Sequence, residues 1–184
     1  MKEQSKRDQS IRKRLTAAGT GVLLGLSLCM PVQAEEGQAA QEEGKILFEA
    51  ICQEKLEEYL DEHPEGTEED ERAHFQVNER LKEAAEHRLE AAGEKGYTNG
   101  RIPQEGTVND YLASIPYQGS RTCMELYLRN CQDGWEAYEK FEEKMMDRYE
   151  EKEDRMYLPE YYREIGMAQR VRDGKYDFLI IMMR

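Results

Sequence analysis

The sequence predicts an α+β fold: a three-layer α-β-α sandwich with a mainly antiparallel sheet and a C-terminal β-hairpin. Two observations lead to this prediction. Three segments repeat apolar residues at the spacing of amphipathic helices. The last 26 residues contain two apolar runs separated by Asp173-Gly174, a dipeptide that favours a two-residue type I′ turn. The competing fold is a helical bundle with an added hairpin, but the final run is apolar on both faces and favours the interior of a sheet.

The predicted turn at Asp173-Gly174 fixes which residues face each other across the hairpin. On one face it places Arg170 opposite Asp177, which is a favourable pair of opposite charges. On the other face it predicts four mostly apolar pairs, namely Val171 with Tyr176, Gln169 with Phe178, Met167 with Ile180 and Ile165 with Met182.

Three longer helices and one short helix are predicted before the hairpin. The first runs from Lys45 to the His63-Pro64 pair, because proline cannot continue a helix. The second ends at Gly93, and Thr107 can cap a short third segment. The inner stripe of the second helix is expected to contain Val77, Leu81, Ala84, Ala85, Leu89 and Ala92.

The last predicted helix begins at Asp133, which forms a capping-box pattern with Glu136. An aromatic and methionine stripe follows at helical spacing, and such a stripe is typical of a core rather than of a ligand site. It consists of Trp135, Tyr138, Phe141, Met145 and Tyr149. The segment from Ile115 to Leu128 has no clear periodicity and receives no assignment.

Residues 1–34 have the three parts of a secretory signal peptide. Six basic residues occur before Leu15, an apolar run of 16 residues follows, and the segment ends in the small-residue pattern Val32-Gln33-Ala34. The apolar run is shorter than the roughly 20 residues that a spanning helix needs. We therefore expect cleavage after Ala34, a secreted or envelope-associated product, and no membrane span after cleavage. An uncleaved anchor is the alternative.

Two regions are expected after the signal peptide. Residues 35–44 contain no large apolar side chain and are predicted to form a flexible acidic leader. Residues 45–184 are predicted to form a single folded domain, since the length suits one domain.

The charge balance excludes one class of partner. The chain has 26 basic and 39 acidic residues, for a net charge of −13. Without residues 1–34 the counts are 20 and 37, and the net charge is −17. Such a chain repels nucleic acid and anionic membranes, so no nucleic-acid partner is expected. Solubility explains the acidity better than cation binding, because no calcium loop of the required spacing is present.

Three cysteines follow the predicted cleavage site: Cys52, Cys123 and Cys131. An odd number leaves at least one of them unpaired within the chain. Cys123 and Cys131 are close enough in sequence to bridge across a turn in an oxidising exterior, although their spacing alone leaves the disulfide open. Since no Cys-x-x-Cys occurs, a zinc knuckle or a thiol-redox motif is excluded.

Four stretches carry a family resemblance. They are Leu81–Arg88, Asn99–Pro103 followed by Gly106-Thr107 and Tyr111-Leu112, Met124–Leu126, and Tyr162–Met167 with the hairpin after it. Together they resemble the CAP superfamily, which includes cysteine-rich secretory proteins, antigen 5, plant pathogenesis-related proteins and bacterial SCP-like extracellular proteins. The resemblance covers residues 45–184 and implies an extracellular α-β-α sandwich.

The resemblance also implies where a cleft should lie. In the family, two histidines and one or two glutamates mark a cleft that can hold a divalent metal. At the matching positions this chain has Asn99 and Glu153 in place of the histidines, and only Glu125 matches in type. Because imidazole nitrogens would be principal ligands, no metal and no cofactor are expected. The residual cleft is predicted at Asn99, Arg101, Glu125 and Glu153.

The sequence therefore predicts a secreted, non-catalytic CAP-like module that binds an extracellular ligand or protein partner. No catalytic residue is assigned, because Ser114 and Ser120 lack a nucleophile signature. One alternative is an extracellular hydrolase or metal-dependent enzyme that uses clustered carboxylates including Glu125. Another is an unrelated secreted helical protein of the envelope or of an adhesion system.

Overall fold

The computed structural model describes residues 32–115 and 122–184. This part of the chain forms four α-helices and a four-stranded sheet, with short 3-10 turns at Glu71–Ala73, Arg155–Tyr157 and Pro159–Tyr161. The helices are α1 (Val32–Glu62), α2 (Glu79–Lys95), α3 (Val108–Ser114) and α4 (Gly134–Lys152). The strands are β1 (Gln76–Val77), β2 (Cys123–Cys131), β3 (Glu164–Arg172) and β4 (Lys175–Met183).

The sheet has the order β1-β3-β4-β2. The β1–β3 ladder is parallel, whereas the β3–β4 and β2–β4 ladders are antiparallel. The predicted α+β class is therefore confirmed. β4 lies between two partners, as its doubly apolar pattern predicts.

The C-terminal hairpin has the predicted register. Asp173 and Gly174 have φ angles of 54° and 69°, the two left-handed conformations that a type I′ turn requires. Arg170 faces Asp177, and all four predicted apolar pairs of the other face occur.

Helix α2 packs on the face of the sheet that carries Gly166 and Ala168. The main chain of α2 at Leu81 occupies the space that a side chain at position 166 would need, so glycine permits close approach of helix and strand. The buried side chains of this layer include Leu81, Ala84, Ala85, Leu89, Ala168, Leu179 and Ile181.

Helices α1 and α4 lie against the opposite face, where Gln169 and Met124 are located. Gly44 of α1 borders the Gln169 side chain, and Arg148 of α4 contacts Met124. Tyr138 of α4 donates a hydrogen bond to Glu54 of α1 at 2.8 Å. The buried side chains of these two helices include Leu47, Ile51, Tyr59, Phe141 and Met145.

The predicted flexible leader at residues 35–44 is wrong for the described structure, because α1 begins at Val32 and continues through this segment. Its small residues pack by close approach: Ala40 and Gly44 are buried. The Glu43 carboxylate accepts a hydrogen bond from the Gly134 main-chain nitrogen at 2.6 Å. The absence of large apolar side chains therefore did not prevent ordered packing.

The second predicted helix is displaced toward the C-terminus. Val77 is in β1 and is 58% exposed, so its place in the inner stripe was wrong. Asn78 caps α2 by accepting from the nitrogens of Arg80 and Leu81. Gly93 stays inside the helix, where the Arg170 guanidinium fills the space beside it. Gly96, with a φ of 90°, ends the helix instead.

The other two predicted helix caps are present. Thr107 and Asp110 form a complete capping box at α3. At α4, the Asp133 side chain accepts from the Glu136 nitrogen at 2.8 Å, but Glu136 accepts from the nitrogen of Gln132 and not from that of Asp133. The segment from Ile115 to Leu128 received no assignment from the sequence. Its residues 116–121 lie outside the described residues, and its last part, from Cys123, belongs to β2.

The disulfide between Cys123 and Cys131, which the sequence left open, does not form. These residues stand at the two ends of β2, so a rise of about 3.3 Å per residue separates their Cα atoms by roughly 26 Å. A disulfide requires less than about 7 Å. Both thiols are free, as is Cys52.

Residues 36–184 form one compact unit. Residues 1–31, with most of the predicted signal peptide, lie outside the described part of the chain. No helix within the described residues combines the length and the apolar character needed to cross a bilayer.

Candidate functional site

A cleft of about 490 Å³ lies along β2, and we call it the edge cleft. Among the described strands β2 pairs only with β4. Consecutive β2 residues, whose side chains point to opposite faces of a sheet, line the cleft, so it follows the outer edge of this strand. Its lining consists of Tyr97, Asn99, Gly100, Thr107, Val108, Met124, Glu125, Leu126, Tyr127, Arg129, Lys144 and Arg148.

A tight turn places Asn99 in the cleft. The main-chain nitrogens of Thr98 and Arg101 each donate to the other residue's oxygen at 3.0 Å. Asn99 and Gly100 between them have φ angles of 51° and 74°, again the type I′ conformation that Asn-Gly favours. Asn99 therefore stands at the tip of the turn and is exposed.

Glu125 is the one acidic residue in the described lining of the cleft, and its side chain is only 3% exposed. Arg88 of α2, which is fully buried, binds it in a bidentate pair. Nη2 donates to Oε1 at 2.9 Å and Nε donates to Oε2. Such paired charge-assisted bonds are strong and directional. Because Arg88 carries the opposite charge, it balances the Glu125 carboxylate inside the protein.

Two further contacts complete this buried network. Arg88 Nη2 also lies 3.4 Å from the Gly106 oxygen, while Nη1 has no hydrogen-bond partner among the described residues. Burial and the nearby Glu125 carboxylate raise the pKa of Tyr97, so its hydroxyl stays neutral beside this pair.

Three basic side chains, which we call the cleft rim, surround this neutral network. Arg129 extends from β2, with its guanidinium carbon 5.5 Å from the centre of the Tyr127 ring. Lys144 and Arg148 are four residues apart on α4, so they share one face of the helix. The Arg148 guanidinium lies 3.6 Å from the Met124 sulfur.

The structure brings together two of the four predicted cleft residues. Asn99 and Glu125 both line the edge cleft, but Arg101 and Glu153 do not. Arg101 is exposed and directly follows the turn at Asn99-Gly100. Glu153 caps the end of α4 with a φ of 51°. It follows Arg148 by five residues, about 7.5 Å farther along the helix axis.

Arg88 and the residues of the cleft rim were not predicted as site residues from the sequence. Arg88 did carry a signal, because it falls on the apolar stripe of α2 beside Ala84 and Leu89, where a charge requires a buried partner. The cleft rim carried no such signal in the sequence, because its residues come from a strand and a helix that meet only in the folded chain.

The residues of the edge cleft do not form the metal site that is typical of the family that the sequence resembles. Within the described residues, no group of three or more His, Cys, Asp or Glu side chains is arranged to hold a metal ion. The cleft offers one carboxylate, already bound by Arg88, and zinc sites need three or four nitrogen, sulfur or oxygen ligands. The nearby Cys123 is no better a ligand, because burial raises its pKa to about 11 and keeps the thiol protonated.

No protein-family model and no curated protein matches the sequence. The structure is similar to the 1.5 Å crystal structure of an extracellular protein containing a SCP domain from Bacillus anthracis str. Ames, with a TM-score of 0.54 and 14% sequence identity. The match covers 86% of this chain and 45% of that one, so this chain spans less than half the length of that protein. The chain thus shares its fold with an SCP-domain protein, which supports the CAP-superfamily resemblance of its sequence.

Proposed function

We propose that the chain is an exported, non-catalytic CAP-like module that binds an anionic ligand in the edge cleft. In this proposal residues 1–34 are removed as a signal peptide, and residues 45–184 form a three-layer α-β-α sandwich preceded by the helical segment 35–44. The signal-peptide pattern supports export, as does the structural similarity to an extracellular protein.

The observation that carries the proposal is the charge of the edge cleft. Its single carboxylate, Glu125, is neutralised by buried Arg88. The three cations of the cleft rim are therefore left to set the potential of the cavity. A local positive potential is unusual on a chain of net charge −13, and concave walls of low dielectric strengthen such a field.

The remaining walls indicate what else the ligand carries. Val108, Met124 and Leu126 provide apolar surface, and the cleft volume of about 490 Å³ suits a small organic molecule. We infer that the ligand combines an anionic group, held by the cleft rim, with an apolar portion.

The rival hydrolase would need Glu125 as a general acid or base, and a general base must be able to reach the proton that it removes. Both oxygens of Glu125 already accept from Arg88. A metal-dependent reaction would need more oxygen ligands than the cleft offers and would meet repulsion from the cleft rim. Both points support binding without catalysis.

The test uses two fluorescent probes that differ in charge. 8-Anilinonaphthalene-1-sulfonate is an apolar anion, and N-phenyl-1-naphthylamine presents similar rings without the sulfonate. We expect the chain to bind the sulfonate more tightly. The variant Arg129→Glu/Lys144→Glu should weaken that binding by about tenfold or more, which corresponds to roughly 1.4 kcal/mol, and should leave binding of the neutral probe unchanged.

The matched control is Lys45→Glu/Lys82→Glu, which reverses two exposed charges outside the edge cleft. Equal loss of sulfonate binding in this variant would show that overall charge and not the cleft is responsible. Binding of Zn²⁺ or Ca²⁺ in a calorimetric titration, lost in Glu125→Gln, would favour the metal-dependent enzyme instead.

A further inference from the structure

A second cavity, of about 310 Å³, carries a larger excess of positive charge than the edge cleft. We call it the basal pocket. It lies where the C-terminal part of α1 meets the 3-10 turns before β3, the start of β3 and the end of β4. Five Lys or Arg side chains line it with one histidine and a single carboxylate, that of Glu160; the full lining is Lys55, Tyr59, His63, Arg72, Arg155, Glu160, Tyr161, Arg163 and Arg184.

Lys55 is a buried cation of this pocket, at only 1% exposure. Its ammonium donates to the Tyr162 main-chain oxygen at 2.6 Å and lies 3.4 Å from the Glu160 main-chain oxygen. It is also 4.9 Å from the centre of the Phe75 ring. Carbonyl oxygens and an aromatic face carry only partial negative charge. They hold the ammonium in place, and the carboxylates of Glu160 and Glu58 also favour its charged form.

The guanidinium groups of the pocket are held in position by tyrosines. Arg184 Nη1 donates to the Tyr161 hydroxyl at 2.9 Å, and its guanidinium carbon lies 4.5 Å from the centre of that ring. Arg72 lies 6.0 Å from the centre of the Tyr59 ring. Each guanidinium carries five N–H donors, so most of them stay available for a ligand.

The Glu160 carboxylate is already engaged. It accepts from Arg155 Nη2 at 2.9 Å, and the same nitrogen lies 3.0 Å from Glu62. Arg155 is thereby neutralised, and the carboxylates of Glu58 and Asp70 act on Lys55 and Arg72. Arg163 and Arg184 therefore supply most of the excess positive charge of the pocket. Preorganised donors of this kind reduce the ordering cost of binding an anion.

We propose that the basal pocket is a second binding site, independent of the edge cleft, for a small phosphomonoester. A phosphomonoester brings a charge of about −1.5 to −2 and three strong acceptor oxygens, and arginine forks match phosphate geometry. The volume near 310 Å³ limits the ligand to a small molecule. A long polyanion would also meet the repulsion of a chain with net charge −13, whereas a small anion feels mainly the charges within a Debye length of about 8 Å.

The experiment titrates the full chain with inorganic phosphate and with glycerol 3-phosphate in a calorimeter at constant ionic strength. We expect both probes to bind. Arg163→Glu should weaken binding by about tenfold, the size of one reversed charge in a partly screened pocket. Arg163→Gln should give a smaller loss in the same direction. Lys45→Glu, an equal change of charge outside both cavities, should leave phosphate binding within about twofold.

Three results would overturn the proposal. They are no binding of either soluble probe, equal weakening by Lys45→Glu and Arg163→Glu, and binding confined to phosphatidylcholine vesicles that contain phosphatidic acid. The last result would assign the pocket to a lipid headgroup at a membrane. Circular dichroism spectra of each variant establish that the fold is retained. Since the edge-cleft test uses a sulfonate and changes Arg129 and Lys144, whereas this test uses phosphate and changes Arg163, either proposal can fail without the other.

Discussion

The edge cleft and the basal pocket each adjoin a buried cation, but the two cations are balanced differently. Arg88 shares a bidentate pair with Glu125, whereas Lys55 donates to a main-chain oxygen. A carboxylate cancels a full charge and a carbonyl oxygen does not. The edge cleft therefore takes its potential from the side chains of the cleft rim. In the basal pocket no carboxylate of the described residues binds Lys55 in a bidentate pair, although those of Glu160 and Glu58 act on it. A positive cavity can be built in either way on an acidic protein.

The largest expected effect tests the paired cation. Arg88→Met should lower the free energy of unfolding by about 4 kcal/mol, because Glu125 is left buried without its counter-charge. The double variant Arg88→Met/Glu125→Leu removes both charges and should recover most of that loss. Urea unfolding monitored by circular dichroism measures both. A loss below about 1 kcal/mol for Arg88→Met would show that the pair is more hydrated than its burial indicates.

The Asp177 carboxylate is also buried and paired with an arginine. It tests whether breaking such a pair lowers the free energy of unfolding elsewhere in the protein. Asp177 accepts from Arg170 at 3.0 Å, from the Asn130 nitrogen at 2.9 Å and from the Tyr127 hydroxyl at 3.1 Å. Asp177→Asn should cost about 3 kcal/mol near neutral pH, since it leaves Arg170 and the other donors without an anionic acceptor.

This cost should depend on pH in a defined direction. Burial acts to raise the pKa of Asp177, but the hydrogen bonds from Asn130 and Arg170 outweigh it, and the pKa lies below its ordinary value of 3.8. The unfolded state therefore binds the proton first, so the stabilisation is complete above pH 3.8 and is lost as the pH falls through the lowered pKa. Urea unfolding should show wild type and Asp177→Asn converging in strong acid. A constant difference down to the lowest pH would contradict the assignment.

A smaller effect is expected for the cation held by carbonyl groups. Lys55→Met should cost about 2 kcal/mol, because buried oxygens lose a donor, whereas the Glu58 and Glu160 carboxylates that favour the charged lysine keep other donors. Lys45→Met on the same helix is the matched control. Lys45 is exposed and forms only an i,i+4 pair with Glu49, so its loss should stay within about 0.5 kcal/mol. A cost for Lys55→Met equal to that of Arg88→Met would remove the distinction between the two cavities.

The parts of the fold that sequence could predict depend on neighbouring residues. Asp173-Gly174 fixed a nine-pair hairpin register because only a few residues tolerate two consecutive left-handed conformations. Thr107 and Asp133 marked helix starts because their side chains bond to main-chain groups within the same turn. The boundary at Gly93 failed since that glycine serves a contact with Arg170 from a distant strand.

The candidate sites were less predictable because distant segments form them. Glu125 and Asn99 were found through the family resemblance, but the basic character of the cleft depends on α4 meeting β2. From the sequence, Lys55 is indistinguishable from the exposed charged residues of an amphipathic helix. Its burial depends on the main chain at Tyr162, 107 residues away.

The edge of β2 has a consequence for behaviour at high concentration. Among the described strands, this nine-residue strand pairs on one side only, and such edges promote aggregation. Here the ladder is irregular between Leu128 and Cys131, Asn130 is left-handed with a φ of 53°, and Arg129 and Lys144 line the cleft along the strand. A bulge and charged side chains are common protections against edge-to-edge association. The cations that we assign to ligand binding are thus also placed where their charge opposes extension of the sheet by a neighbouring molecule.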